Sequence, residues 1–155
     1  MNPLTEVERA YAAGVFDGEG CISASINAAG RPQLSITLEM KNPEIPHWFF
    51  VSFGGCCRKV VRLSRIGRQE EYIIWSWRVG SGRCRPFLEV VTPYLRLKKP
   101  QAQLALAWIE TLPGGGRKTP DDILLTQHLL MQEILEATRI GASNREALLV
   151  ESNLG

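Results

Sequence analysis

Two acidic side chains close a run of small residues, Ala12-Ala13-Gly14-Val15-Phe16-Asp17-Gly18-Glu19-Gly20. Gly14 and Gly18 are four apart, and Ala10 falls on the same helical side. That spacing lets two helix backbones approach closely, and a two-fold pair of such helices would use it. Each terminal carboxylate would then face its twin. Like charges so close repel unless divalent cations lie between them. Cations bridging carboxylates beside a basic cleft are equipped to hydrolyse a phosphodiester. The plainer alternative is that Asp17 or Glu19 only caps backbone amides in a turn. The residues alone leave open which acid does which.

A polar face follows. Ile22, Ala24 and Ile26 alternate with Ser23, Ser25 and Asn27; beyond a turn at 28–32, Leu34, Ile36, Leu38 and Met40 alternate with Gln33, Ser35, Thr37 and Glu39. Period two over both runs predicts an antiparallel hairpin with one apolar face and one hydrogen-bonding face. A second hairpin is expected over Cys56–Ser64 and Glu71–Val79, its tip at Arg65–Glu70, made basic by Arg58, Lys59, Arg62, Arg65 and Arg68. Residues 55–100 hold eleven Lys/Arg against three acids, a net +8, while the rest of the chain is −6. Such polarisation suits a polyanion. β-Ribbons fit the major groove, where Asn and Gln match adenine, Arg matches guanine, and Glu accepts from cytosine. The competing reading is a solvated sheet face.

The elements that must position these residues are signalled locally. Thr5 and Glu8 have capping-box spacing at the start of the first helix, which should stop near Gly18 or Gly20. Asn42-Pro43-Glu44 reads as N-cap, N1 and N2 of a second helix ending at Gly54-Gly55. A short helix near Arg85–Val91, a kinked segment at Pro93–Lys99 and a helix over Pro100–Leu112 come next. Another helix spans Asp121–Thr138, and Ser143-Asn144-Arg145-Glu146 looks like the capping box of a short terminal one. The helix–hairpin unit occurs twice. The fold class expected is α+β, in the order α-β-β-α-β-β-α with extra C-terminal helices, an antiparallel sheet, and helices on one face.

The bulk properties agree. A chain of 155 residues, 45% hydrophobic and 22% charged, fits one globular domain, taken as 1–155. No apolar run nears the ~20 residues of a membrane span, and the first residues show no signal peptide. Cys21, Cys56, Cys57 and Cys84 include no C-x-x-C pair, and His47 and His128 are distant in sequence. Zinc and disulfides are therefore not expected, and an intracellular protein with reduced cysteines is.

Ala12–Gly20 resembles the nine-residue motif of the LAGLIDADG homing endonucleases, with Ala13, Gly14, Asp17 and Gly20 matching. One motif in a chain of this length is similar to the homodimeric branch. The likeness continues in Gln33–Thr37, Trp48-Phe49, Pro93, Leu95-Arg96-Leu97-Lys98, Gln101-Ala102 and Ile109–Pro113. It spans most of residues 5–125, and the last ~30 carry little of it.

The resemblance implies a homodimeric, intron-encoded DNA endonuclease. It would cut one phosphodiester per strand of a long pseudo-palindromic duplex, using Mg²⁺, with Mn²⁺ or Ca²⁺ able to replace it for binding. The metal ligand would be Glu19, where the family more often has Asp, with the carbonyl near Gly18. Asp17 would be mainly structural. Asn42 stands at a water-holding position where Gln is commoner. Pro46 stands at a basic one and departs from it, with His47 as the neighbouring substitute. Lys98 matches the family's active-site lysine, and a cation there would stabilise charge at the scissile phosphate. The expected dimer surface is Ala10, Ala13, Gly14, Asp17 and Gly18. The expected DNA contacts are Ser23, Ser25, Asn27, Arg31, Gln33, Ser35, Thr37, Glu39, Arg58, Arg62, Arg68, Gln69, Glu71 and Ile73. The alternative is a weak or inactive relative that binds DNA, or intron RNA as a splicing maturase.

Overall fold

The computed structural model describes residues 3–63, 70–114 and 118–152. Arg68, Gln69 and the hairpin tip lie outside the described residues. Helix α1 (Glu6–Glu19) opens with the expected capping box: Glu8 Oε2 accepts from the Thr5 N–H at 2.7 Å, and Thr5 Oγ1 accepts from the Glu8 N–H at 3.3 Å. The Thr5 hydroxyl, which also donates to Glu8 Oε2 at 2.7 Å, and the Thr5 N–H hold the Glu8 carboxyl below the ordinary carboxylate range. Strands β1 (Gly20–Ile26) and β2 (Pro32–Met40) form the first hairpin. Helix α2 (Glu44–Phe53) leads to β3 (Cys56–Leu63) and β4 (Glu71–Gly80). A 3-10 turn at Ser81–Cys84 precedes α3 (Arg85–Val91), α4 (Lys99–Glu110) and α5 (Asp121–Ser152).

The four strands are antiparallel in the order β1-β2-β4-β3, so the second strands of the two hairpins meet in the middle. The alternation in β1 and β2 sends Ile22, Leu34, Ile36 and Leu38 into the core, beside Trp77 and Val79 of β4. Helices cover that face with Ala12, Ala13 and Phe16 from α1, Phe49 from α2, and Phe87, Leu88 and Val91 from α3. Phe49 and Trp77 meet edge to face at 5.1 Å, as do Trp77 and Phe87, and Phe16 meets Phe87 at 4.9 Å. Such edge contacts suit the ring quadrupoles. Among the described residues no helix is long and apolar enough to cross a membrane.

Several expectations are corrected. Pro43, not Asn42, holds the N-cap position of α2; Asn42 Oδ1 accepts from the Glu44 N–H at 2.8 Å from one residue further out. Pro46 does lie in the first turn of α2, and its side chain is fully buried. The two C-terminal helices are one, because nothing stronger than Gly141 interrupts the helical run and a single interior glycine costs only about 1 kcal/mol. Ala13 and Asp17 are buried inside the protomer and cannot belong to the exposed stripe of α1. Glu71 and Ile73 pair with Leu63 and Val61 on the helix-side parity of the sheet, opposite Arg58 and Arg62.

Gly20 turns α1 into β1 against the Phe16 ring. A Cβ there would lie 2.1 Å from Phe16 Cδ2. Gly20→Ala should displace that ring and cost about 1–3 kcal/mol by overpacking. A thermal melt will show a fall of several degrees, and an unchanged midpoint would contradict this packing.

Candidate active site and nucleic-acid face

The C-terminal end of α1 meets the N-terminal end of α4. The two oxygens of the Asp17 carboxylate accept from three successive backbone amides. Oδ2 takes the N–H of Arg96 at 2.7 Å and of Leu97 at 3.3 Å; Oδ1 takes that of Lys98 at 2.9 Å. The start of a helix leaves its amides without partners and favours negative charge. Lys98, the N-cap residue of α4, makes no side-chain capping bond. Asp17 serves that purpose from 79 to 81 residues away. In return, Lys98 Nζ donates to the backbone carbonyl of Asp17. The last turn of α1 has no basic residue of its own, so Lys98 supplies the cation that the negative helix end favours.

This arrangement separates the two acids. Asp17 is buried and committed to amides. Glu19 is exposed and makes no hydrogen bond or ion pair among the described residues. It stands with the last carbonyls of α1, Gly18 among them, which helix geometry leaves without intrahelical donors. An exposed carboxylate with nearby carbonyls is an oxygen donor set that fits Mg²⁺ or Ca²⁺. Among the described residues no three His, Cys, Asp or Glu side chains gather as a metal site.

Gly20 pairs with Leu38, so Asn42, four residues on, lies toward the same end of β2 as the end of α1. Asn42 is engaged with the Glu44 amide. His47 is exposed in the first turn of α2, its ring 6.2 Å from that of Phe50. Neither makes a hydrogen bond to Glu19 among the described residues.

The open face of the sheet starts two residues beyond Glu19. Strand register defines its rows: Ser25 beside Gln33; Ser23, Ser35 and Gly80; Cys21, Thr37, Arg78 and Cys56; Glu39, Ser76 and Arg58. Val60 pairs with Ile74, and Arg62 with Tyr72. Three arginines, Arg58, Arg62 and Arg78, therefore share this face. Some expected contacts are already occupied. The Ser23 and Ser35 hydroxyls bond each other at 2.9 Å, and Asn27 Oδ1 accepts from the amides of Ala29 and Arg31 to build the hairpin turn. Ser25 and Gln33 are exposed on the face, and Arg31 is exposed at the turn.

Arg78, Ser76 and Tyr72 are face residues that the sequence pattern did not single out. Ile73-Ile74-Trp75-Ser76-Trp77 is apolar at both parities, so alternation could not say which side looked outward. Counting the register from the tip was the signal available.

Apart from the acidic Glu6 and Glu19 at its two ends, the exposed residues of α1 are Val7, Ala10, Tyr11, Gly14 and Gly18. A Cβ added at Gly14 or Gly18 would touch nothing within 4 Å in the same protomer.

No protein-family model matches the chain. The DNA endonuclease I-CvuI of Chlorella vulgaris is 26% identical over 140 residues, covering 88% of this chain and 79% of that protein. The crystal structure of I-CvuI with its target and 2 mM Ca superposes with a TM-score of 0.67 at 25% identity, covering 85% of this chain and 82% of that one. I-CvuI with an I-CreI target and 2 mM Mg, in which the DNA is not cleaved, gives 0.66 at the same identity and coverage. The archaeal intron-encoded homing endonuclease I-Vdi141I, complexed with DNA, shares the fold with a TM-score of 0.63 at 17% identity, covering 85% of this chain and 84% of that one.

If Asp17 secures the α4 start, Asp17→Asn removes the charge and substitutes a donor for one acceptor. Hydrogen bonds to charged groups contribute about 1.5–3 kcal/mol each, so a urea melt should show a loss of at least about 2 kcal/mol. Hydrogen exchange at the Arg96 and Lys98 amides should speed up together. Unchanged protection at both amides would contradict the contact.

Proposed function

The chain is a homologue of the LAGLIDADG homing endonucleases, and on that premise we propose that it is one half-site subunit of a homodimeric, site-specific DNA endonuclease. The observation that carries this reading is the division between Asp17 and Glu19. One carboxylate is consumed in holding Lys98, and the other is left exposed where the polar sheet face begins.

Two copies joined through the Val7/Ala10/Gly14/Gly18 surface would bring two Glu19 carboxylates together and extend the two open faces along a duplex. Glu19 and the Gly18 carbonyl would hold Mg²⁺, with Mn²⁺ or Ca²⁺ sufficient for binding. A bound divalent ion there supplies an activated water and neutralises charge on the phosphate. Lys98, fixed by Asp17, places a cation beside the same phosphate. Asn42 and His47 would orient such a water through hydrogen bonds. Arg58, Arg62 and Arg78 on the face, together with Arg68 of the sequence between β3 and β4, would neutralise phosphates or read guanine. Ser25, Gln33 and Thr37 complete the readout. Affinity then falls steeply with salt, as released counterions require.

A second reading keeps the DNA contacts without cutting, or directs them to intron RNA. What favours it is Pro46: it is buried at the position where the family resemblance implies a basic side chain.

Selection from a randomised duplex library yields the target for the decisive test. The protein should cut that duplex with Mg²⁺ and not with EDTA. Glu19→Gln should bind within a few-fold of wild type and lose cutting to background. Cutting that survives within a few-fold would refute the ligand assignment, and binding without cutting by the wild type would establish the second reading.

The dimer surface has its own test. Because Gly18 has open space in its protomer, Gly18→Ser should leave the thermal midpoint within a few degrees of wild type or slightly above it, since an interior helical glycine costs roughly 0.5–1 kcal/mol. Sedimentation should show at least a tenfold weaker dimer. A dimer of unchanged strength would remove α1 from the interface.

A further inference from the structure

The open face contains an ion pair that spans a strand. Arg62 Nη2 donates to Glu39 Oε1 at 2.7 Å and to Oε2 at 2.8 Å. Arg62 belongs to β3 and Glu39 to β2, and β4 lies between them. Arg62 is opposite Tyr72, and Glu39 is opposite Ser76. The diagonal between them passes Ile74, which is only 7% exposed although it has open-face parity, and Ser76 is 6% exposed beside it. Of the three arginines on this face, only Arg62 has an acidic partner among the described residues.

We propose that Glu39 is a positioning residue for Arg62, and that the pair reads one guanine in each half-site as a unit. This rests on the DNA-cleavage reading above. The pair is about half exposed, so its contribution to stability is small. Its effect is on orientation. A guanidinium presents five donors in a fixed fork. Both Glu39 bonds fall on one terminal nitrogen. Nη2 belongs to both edges of the fork, so Nη1 is left to donate to one guanine acceptor, O6 or N7. A carboxylate so engaged is a poor acceptor for a cytosine amino group, so Glu39 does not read a base directly. Holding the fork before DNA arrives reduces the side-chain entropy lost on binding.

The test uses the full-length chain and a randomised duplex library. The base profile is compared for wild type, Arg62→Ala, Arg62→Lys, Glu39→Gln and the Glu39→Gln/Arg62→Ala double variant. Wild type should enrich guanine at one symmetric pair of positions. Arg62→Ala and Glu39→Gln should each flatten preference at those same positions by a few-fold to tenfold, as the loss of one charge-assisted hydrogen bond gives. The double variant should be no flatter than Arg62→Ala. Arg62→Lys keeps the charge but not the fork, so it should keep the salt slope and lose the guanine preference. Thermal melts close to wild type will show that the variants fold. A Glu39→Gln profile that changes at a different position, or not at all, overturns the pairing and leaves the endonuclease reading intact. Wild-type protein that enriches no duplex overturns both.

Discussion

One carboxylate binds together two parts of the chain that are distant in sequence. Asp17, at the end of α1, accepts from three consecutive amides at the start of α4. Both helix ends are satisfied at one junction: the negative charge meets unpaired N–H groups, and Lys98 returns a cation to the α1 carbonyls. Without this contact, α4 would begin with orphan amides and Lys98 would have no fixed place relative to the end of α1. The position of every other group in the proposed site is measured from here. Gly20 then lets β1 leave the junction directly beneath the Phe16 ring, which carries Glu19 to the edge of the polar face.

The acids and bases divide in the same way. Of two carboxylates two residues apart, one is internal and one outward. The excess cations of residues 55–100 also split. Arg58, Arg62 and Arg78 share the open face, while Arg85 pairs with Glu89 and Glu110 on the helical side. Net charge over a segment therefore overstates the face that meets a polyanion. Register, not composition, decides which cations belong to it.

What was legible in the sequence was local. The Thr5/Glu8 box and the alternation of Ile22–Ile26 and Leu34–Met40 are written in neighbouring residues, and the helix and hairpin they imply are present. The motif likeness identified both acids, but only as a resemblance. Asp17 could not be assigned from spacing, because its partners lie about eighty residues away and are backbone amides of no particular residue type. Strand β4 concealed its outward side because both of its parities are apolar. Asn42 missed the N-cap position because Pro43 took it, and Asn42 still bonded the helix from one step out. The small-residue stripe was read too broadly. Ala13 lies one position off the exposed line and packs into the core.

The account's central claim is that Asp17 organises the junction while Glu19, doubled by symmetry, faces the metal. The most direct measurement is anomalous scattering from crystals of the chain on its selected duplex, grown with Mn²⁺. The account predicts a two-fold arrangement with anomalous density against both Glu19 carboxylates and none at Asp17, whose oxygens remain on the 96–98 amides. Density on Asp17, or two Glu19 side chains far apart with no ion beside them, would contradict it.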